Sequence, residues 1–135
     1  MQFDLTLEFM IPATPEQVMR LLTDAELIRA WSGAAGYAEP KEGGHFEMFD
    51  GWVKGKVYKA GKNELAYTWK TIDWTEATKE SEVHYVLTAD KEGTLVKVSH
   101  KGLPDLEEME SHKEGWDEHF FGLMEEYVLV TKREI

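Results

Sequence analysis

The chain has no cysteine among its 135 residues, which excludes disulfides, thiolate nucleophiles and cysteine-ligated zinc. Positive charge is scarce as well: 15 lysines and arginines face 26 acidic residues, a formal net charge of -11. Such a chain repels nucleic-acid phosphate and anionic lipid unless its few cations are gathered together, and the sequence shows no basic patch. Long apolar runs are missing too, with nothing near the roughly 20 residues that span a bilayer. The N-terminus lacks the basic-then-apolar layout of a secretory signal. Neither nucleic acid nor a membrane is therefore expected as a partner, and the expected location is cytoplasmic.

Chemical motifs are equally sparse. There are only four serines, and none lies in a Gly-x-Ser-x-Gly elbow; Ser32, in Trp31-Ser32-Gly33, reads as a loop residue. The stretch Gly51 to Lys56 is one residue short of a phosphate-binding loop and lacks the following Ser or Thr. His112 and His119 are seven residues apart, about 10.5 Å along a helix at 1.5 Å per residue, too far to chelate one ion together. No metal and no cofactor is expected.

What is present is pattern. A chain of this length suits one domain, residues 1–135, burying roughly 68% of its unfolded surface. Phe3, Leu5, Leu7 and Phe9 alternate with Asp4, Thr6 and Glu8, a strand with one buried face. Thr14-Pro15-Glu16-Gln17 is a capping box with proline at the first helical position, and it opens a short helix through Val18, Leu21 and Leu22. Thr23 or Asp24 caps a second short helix running to Trp31, and Ser32 to Gly36 is loop. Strands then follow: Gly44 to Phe49, a turn at Asp50-Gly51, and Trp52 to Lys59. Next come a turn at residues 60–63, a strand through Leu65, Tyr67 and Trp69, and a hairpin of Val83 to Ala89 with Thr94 to Lys101. With Ala89 facing Thr94, Tyr85 faces Val98, so Val83, Tyr85, Leu87, Val96, Val98 and His100 share the inner face.

From Ser111 a helical stripe runs His112, Trp116, His119, Phe120, Leu123, Tyr127 and Val130, and Ser111 with Glu114 fits a capping box. Glu107, Glu108, Glu110, Asp117, Glu118, Glu125 and Glu126 read as a solvated face. This long amphipathic helix is the only element able to cover the apolar face of the sheet. His100 on the sheet and His112 on the helix flank can border one cavity. They are the two candidates for acid–base chemistry, although the simpler reading is that each bonds a carbonyl or a hydroxyl in the core.

These features resemble, in order, the START-like (SRPBCC, birch-pollen-allergen-like) helix-grip superfamily, in its branch named for the activator of heat-shock protein 90 ATPase. The resemblance rests on Ile11-Pro12-Ala13, Pro15-Glu16-Gln17-Val18, Leu22-Thr23-Asp24 leading to Trp31, Gly43-Gly44 with Phe46, and Gly55-Lys56-Val57. It continues through Thr68-Trp69, Val83-His84-Tyr85, Thr94 to His100, Gly102-Leu103-Pro104, and His112 with Gly115-Trp116 ahead of Leu123 and Tyr127. It implies an α+β fold in which a curved antiparallel sheet of about six to seven strands wraps a long C-terminal helix, with two short helices after strand one.

Within that frame the leading expectation is a non-catalytic, stress-related binding module for an apolar or aromatic small molecule. Trp69, Tyr85, Val98, His100, His112, Trp116, Phe120 and Tyr127 are its expected lining. No catalytic residue is assigned. The first alternative is a cyclase or dehydratase acting in the same cavity, with His100 or His112 as base and Tyr85 or Tyr127 as donor. The second is a co-chaperone-like module that contacts a chaperone through its acidic surface or residues 32–44. The resemblance also implies that the eukaryotic activator carries a separate N-terminal chaperone-docking domain. These 135 residues hold no counterpart to it, so full co-chaperone activity is not expected.

Overall fold

The structure, a computed structural model, describes residues 3–131. Strand β1 (Phe3–Ile11) leads into helices α1 (Pro15–Thr23) and α2 (Ala25–Ser32). The chain continues through β2 (Tyr37–Ala38), β3 (His45–Met48), β4 (Val53–Gly61), β5 (Glu64–Thr71), β6 (Ser81–Asp90) and β7 (Gly93–Leu103). The local signals act as expected at the first helix. Thr14 Oγ1 accepts from the Gln17 amide while the Gln17 side chain accepts from the Thr14 amide. Asp24, rather than Thr23, caps α2 by accepting from the amides of Glu26 and Leu27.

All seven strands pair antiparallel in the order β1-β7-β6-β5-β4-β3-β2, a curved sheet that grips the C-terminal helix. The β6–β7 register is the expected one, with Ala89 opposite Thr94 and Tyr85 opposite Val98. Val83, Tyr85, Leu87, Val96, Val98 and His100 are accordingly buried on one face. The two-residue strand β2 carries no alternating pattern of its own and was not expected; it exists by pairing Tyr37 and Ala38 with Glu47 and Phe46. Trp31 joins the two short helices by donating its indole N–H to the Leu21 carbonyl (2.8 Å), and it packs edge-on against Phe120.

The C-terminal helix departs from expectation in two ways. It begins at Leu106, not at Ser111, because Asp105 accepts from the Glu108 amide at 2.8 Å and acts as the cap. It is also not a uniform α-helix. Helix α3 (Leu106–Gly115) passes through a π-helical segment (Trp116–Phe121) into α4 (Gly122–Thr131), and the Gly122 amide donates to the Asp117 carbonyl five residues back. One extra residue is thereby inserted into the periodicity, and everything beyond it moves round by one position. His112, Trp116 and Phe120 are buried as the stripe requires. Past the insertion the buried residues are Phe121, Met124 and Val128, each one later than Phe120, Leu123 and Tyr127. Leu123 and Tyr127 are half-buried against the margin of the core, His119 is exposed, and Val130 is 78% exposed, so none of the four is fully buried as the stripe required.

Among the described residues no helix is long and apolar enough to cross a membrane.

The π segment gives two glycines of this helix opposite signs on substitution. A Cβ on Gly122 lies 2.4 Å from the Asp117 carbonyl oxygen, whereas one on Gly115, at φ -63°, meets nothing within 4 Å. Gly115→Ala is expected to stabilise the fold by about 1 kcal/mol through helix propensity. Gly122→Ala is expected to destabilise it by about 1–2 kcal/mol, the clash outweighing the same propensity gain. Urea unfolding of both variants checks this; equal stabilisation by the two would show that the π geometry is not enforced.

Candidate functional site

Two side chains on the sheet and two on the helix form a polar layer inside the aromatic core. Trp69 on β5 donates its indole N–H to His112 Nε2 at 3.1 Å, and Trp116 donates to His100 Nδ1 at 3.1 Å. An indole nitrogen only donates, so both of these imidazole nitrogens are acceptors and carry no proton. The protons therefore sit on the other nitrogens. His112 Nδ1–H donates to the Glu108 carbonyl at 2.9 Å, and His100 Nε2–H donates to Ser81 Oγ at 2.9 Å. The Ser81 hydroxyl in turn donates to the Trp69 carbonyl at 2.7 Å. The two histidines are thus held neutral in opposite tautomers, with ring centroids 5.2 Å apart. Burial, reinforced by neighbouring His112, brings the His100 pKa down from 6.5 to about 3; burial also lowers that of His112, against the opposing pull of Glu108.

In front of this layer lies a partly open cavity of about 530 Å³. The helix contributes Glu108, Ser111, His112, Gly115, Trp116, His119 and Phe120, and the sheet contributes Trp69. The remaining wall is Phe49 and Trp52 from the β3–β4 turn and Asp73 from the segment after β5. That turn is a four-residue loop, residues 49–52, with Met48 opposite Val53, instead of a two-residue Asp50-Gly51 turn. Phe49 (φ 55°), Asp50 (φ 59°) and Gly51 (φ 87°) are all left-handed, a conformation that costs a bulky residue such as phenylalanine about 1–2 kcal/mol. Asp50 holds the loop in place: its amide donates to the Ala35 carbonyl and its carboxylate accepts from the Ala35 amide, both at 2.9 Å. The outcome is that Phe49 and Trp52 face the cavity instead of continuing the strand.

Of the eight residues expected to line a site, Trp69, His112, Trp116 and Phe120 do so. His100 lies behind the wall, fully buried and bonded to Trp116. Tyr85 is buried deeper, its hydroxyl hydrogen-bonded to that of Tyr67, and Val98 is core. Tyr127 is carried away by the π insertion. Phe49, Trp52, Asp73, Glu108, Ser111, Gly115 and His119 line it without having been among the eight. For Phe49 and Trp52 the available signal was the placement of two aromatics on either side of a turn, where their own hairpin cannot bury them. Glu108 had read as solvated, but its side chain is only 27% exposed and its Oε1 accepts from the Trp74 indole at 3.0 Å. Asp73 accepts from the Trp52 indole at 2.8 Å and had no sequence signal. Among the described residues no group of three or more His, Asp or Glu side chains is placed to hold a metal ion.

The buried imidazoles make stability pH-dependent. In the folded state His100 takes up a proton only near pH 3, while in the unfolded chain it does so near 6.5. Its contribution is complete above pH 6.5 and is lost as pH falls from there toward 3, at about 1.4 kcal/mol per unit. Comparing wild type with His100→Gln by denaturant unfolding from pH 7 to 5 is expected to show wild type losing about 2 kcal/mol more than the variant. Parallel pH profiles would refute the buried neutral state.

Comparison with known proteins agrees with this architecture. Residues 12–128 match the family described as Activator of Hsp90 ATPase homolog 1-like protein. The chain is 29% identical over 123 residues to mouse activator of 90 kDa heat shock protein ATPase homolog 1, covering 87% of this chain and 34% of that protein. It therefore spans about a third of the length of the curated relatives it matches. Among solved structures, an HSP90 activator from Plasmodium falciparum superposes with a TM-score of 0.80 at 27% identity, covering 95% of this chain and 96% of that one. An AHSA1-like protein from Rhizobium etli superposes with a TM-score of 0.72 at 30% identity, covering 93% and 81%. With its family signature extending from the end of β1 to the last turns of the C-terminal helix, the chain belongs to the activator of Hsp90 ATPase homolog 1-like family.

Proposed function

We propose that this protein is a non-catalytic cytoplasmic binding module whose cavity takes an apolar or aromatic small molecule. The observation that carries the reading is an aromatic cavity of about 530 Å³ whose two inner histidines, His112 at the wall and His100 behind it, are already satisfied. That volume falls within the roughly 300–1,000 Å³ usual for small-molecule sites. Neither histidine offers a free lone pair, since His100 and His112 each use their basic nitrogen to accept an indole N–H. Proton abstraction by either would first have to break that bond and then place charge in an aromatic core. This weighs against the cyclase or dehydratase alternative, as do its two suggested donors: Tyr85 points into the core toward Tyr67, and Tyr127 is not on the cavity wall.

The match to heat-shock ATPase activators favours a second reading, in which the same domain contacts a chaperone. The two are separable because one uses the cavity and the other the outer surface.

Titration with a library of lipids and aromatic compounds is expected to yield ligands that quench tryptophan fluorescence and raise thermal stability. A ligand at about 100 times its Kd adds about 2.7 kcal/mol to the unfolding free energy. Trp52→Ala is expected to weaken such ligands about tenfold while leaving the fold intact, as Trp52 lies in a loop at the cavity wall and is only half-buried. A library without a single hit would end the binding reading. Stimulation of a 90 kDa heat-shock protein's ATPase by this chain would support the chaperone reading, and an unchanged rate together with no co-precipitation would remove it.

A further inference from the structure

Resting on the cavity-binding reading above, we propose that the cavity is selective for a hydrophobic organic cation, an amine or quaternary ammonium group carried on an apolar or aromatic body. The polar groups on its wall are unevenly matched to ligand charge. Every tryptophan at or beside the cavity has spent its N–H: Trp52 on Asp73, Trp69 on His112, Trp74 on Glu108 and Trp116 on His100. What these rings have left to offer is π surface, which carries negative charge on its faces and attracts cations. Among the described residues no lysine or arginine lines the cavity. For a carboxylate or phosphate ligand the wall holds only the exposed His119 imidazole and the Ser111 hydroxyl, with no permanently charged cation.

The two carboxylates are placed to receive the opposite charge. Asp73 accepts its indole bond through Oδ2 and Glu108 through Oε1. Asp73 Oδ1 and Glu108 Oε2 carry no protein hydrogen bond among the described residues. Both residues sit at the wet edge, Asp73 exposed and Glu108 about a quarter exposed, while Trp69, Trp116 and Phe120 form the dry end. An amphipathic cation fits this polarity with its body against the inner aromatics and its charged head between the carboxylates. Tryptophan bonding fixes each carboxylate beside an aromatic ring, so the head meets charge and π surface together. The lysines of the neighbouring strands are kept away from the cavity. Lys70 adjoins Trp69 in β5 and so projects from the other face of the sheet, opposite Lys54 of β4. The net charge of -11 adds a long-range field of the same sign.

The test uses three probes that share one aromatic body: naphthylmethyl-trimethylammonium, its neutral carbon isostere neopentylnaphthalene, and naphthylacetate. Affinities are read by tryptophan fluorescence and calorimetry at fixed ionic strength, for wild type and for Asp73→Asn/Glu108→Gln. Both substitutions keep an acceptor for the indole that each residue holds, and both sites are at the cavity edge, so the fold is retained. The expected result is at least about tenfold tighter binding of the cation than of the isostere, with the anion weakest, and loss of the preference in the double variant. Equal or tighter binding of the isostere or of naphthylacetate would overturn cation selectivity while leaving a binding cavity. A preference that persists in the double variant would overturn the role of the two carboxylates. Failure of all three probes would overturn cation selectivity where the wider library yields ligands, and would overturn the cavity-binding reading as well where it yields none.

Discussion

Across the apolar core that joins the sheet to the C-terminal helix, a pair of indole-to-imidazole hydrogen bonds ties the two layers in register, and the site is organised around them. Trp69 on β5 reaches His112 on α3, and Trp116 on the π segment reaches His100 on β7. Each bond crosses the core between the two layers in the opposite sense. Each requires a neutral imidazole in one tautomer, which Ser81 and the Glu108 carbonyl supply from behind. Deleting one partner leaves a buried donor or acceptor unsatisfied, at a cost of about 1–3 kcal/mol. This interaction turns a stack of aromatics, which could slide, into a layer with one register between sheet and helix.

The π segment is the second consequence of that register. α3 must present His112 and Trp116 to the polar layer, while α4 must bury Met124 and Val128 against the core. A uniform α-helix would bring Leu123 and Tyr127 inward instead. The extra residue reconciles the two halves, and it brings both Phe120 and Phe121 into the core at the point of change. Glycine at 122 accommodates it, because the Asp117 carbonyl approaches where a Cβ would stand. The insertion also borders the cavity through Trp116, His119 and Phe120, consistent with the frequent occurrence of such bulges at functional sites.

Membership of the family accounts for the fold more firmly than for any activity, since one fold hosts many functions and the site decides between them. Here the space between sheet and helix is bounded by a strained turn, an acidic rim and a polar layer whose hydrogen bonds are complete. Its wall presents aromatic surface and the carboxylate oxygens of Asp73 and Glu108 that the tryptophan bonds leave over. The Asp50–Ala35 pairing links the loop after α2 to the turn that carries Phe49 and Trp52, so the cavity wall is braced from both directions.

What the sequence determined by itself is whatever short-range physics sets. Alternation along β6 and β7 and the tight turn between them specified the face and register that bury Tyr85, Val98 and His100. The Thr14 capping box and the Trp69, His112, Trp116 and Phe120 part of the site were legible for the same reason, as each depends on residues a few positions apart or on a strong periodic stripe. Only the tertiary structure decided the rest. The position of Tyr127 turned on one inserted residue that no periodicity announces, and the start of the helix turned on Asp105 winning the cap from Ser111. The tautomers of His100 and His112, the placing of Phe49 and Trp52, and the drawing in of Glu108 all depend on partners 15 to 43 residues away in the chain. Such contacts form only when the sheet closes on the helix, so local propensity carries no trace of them.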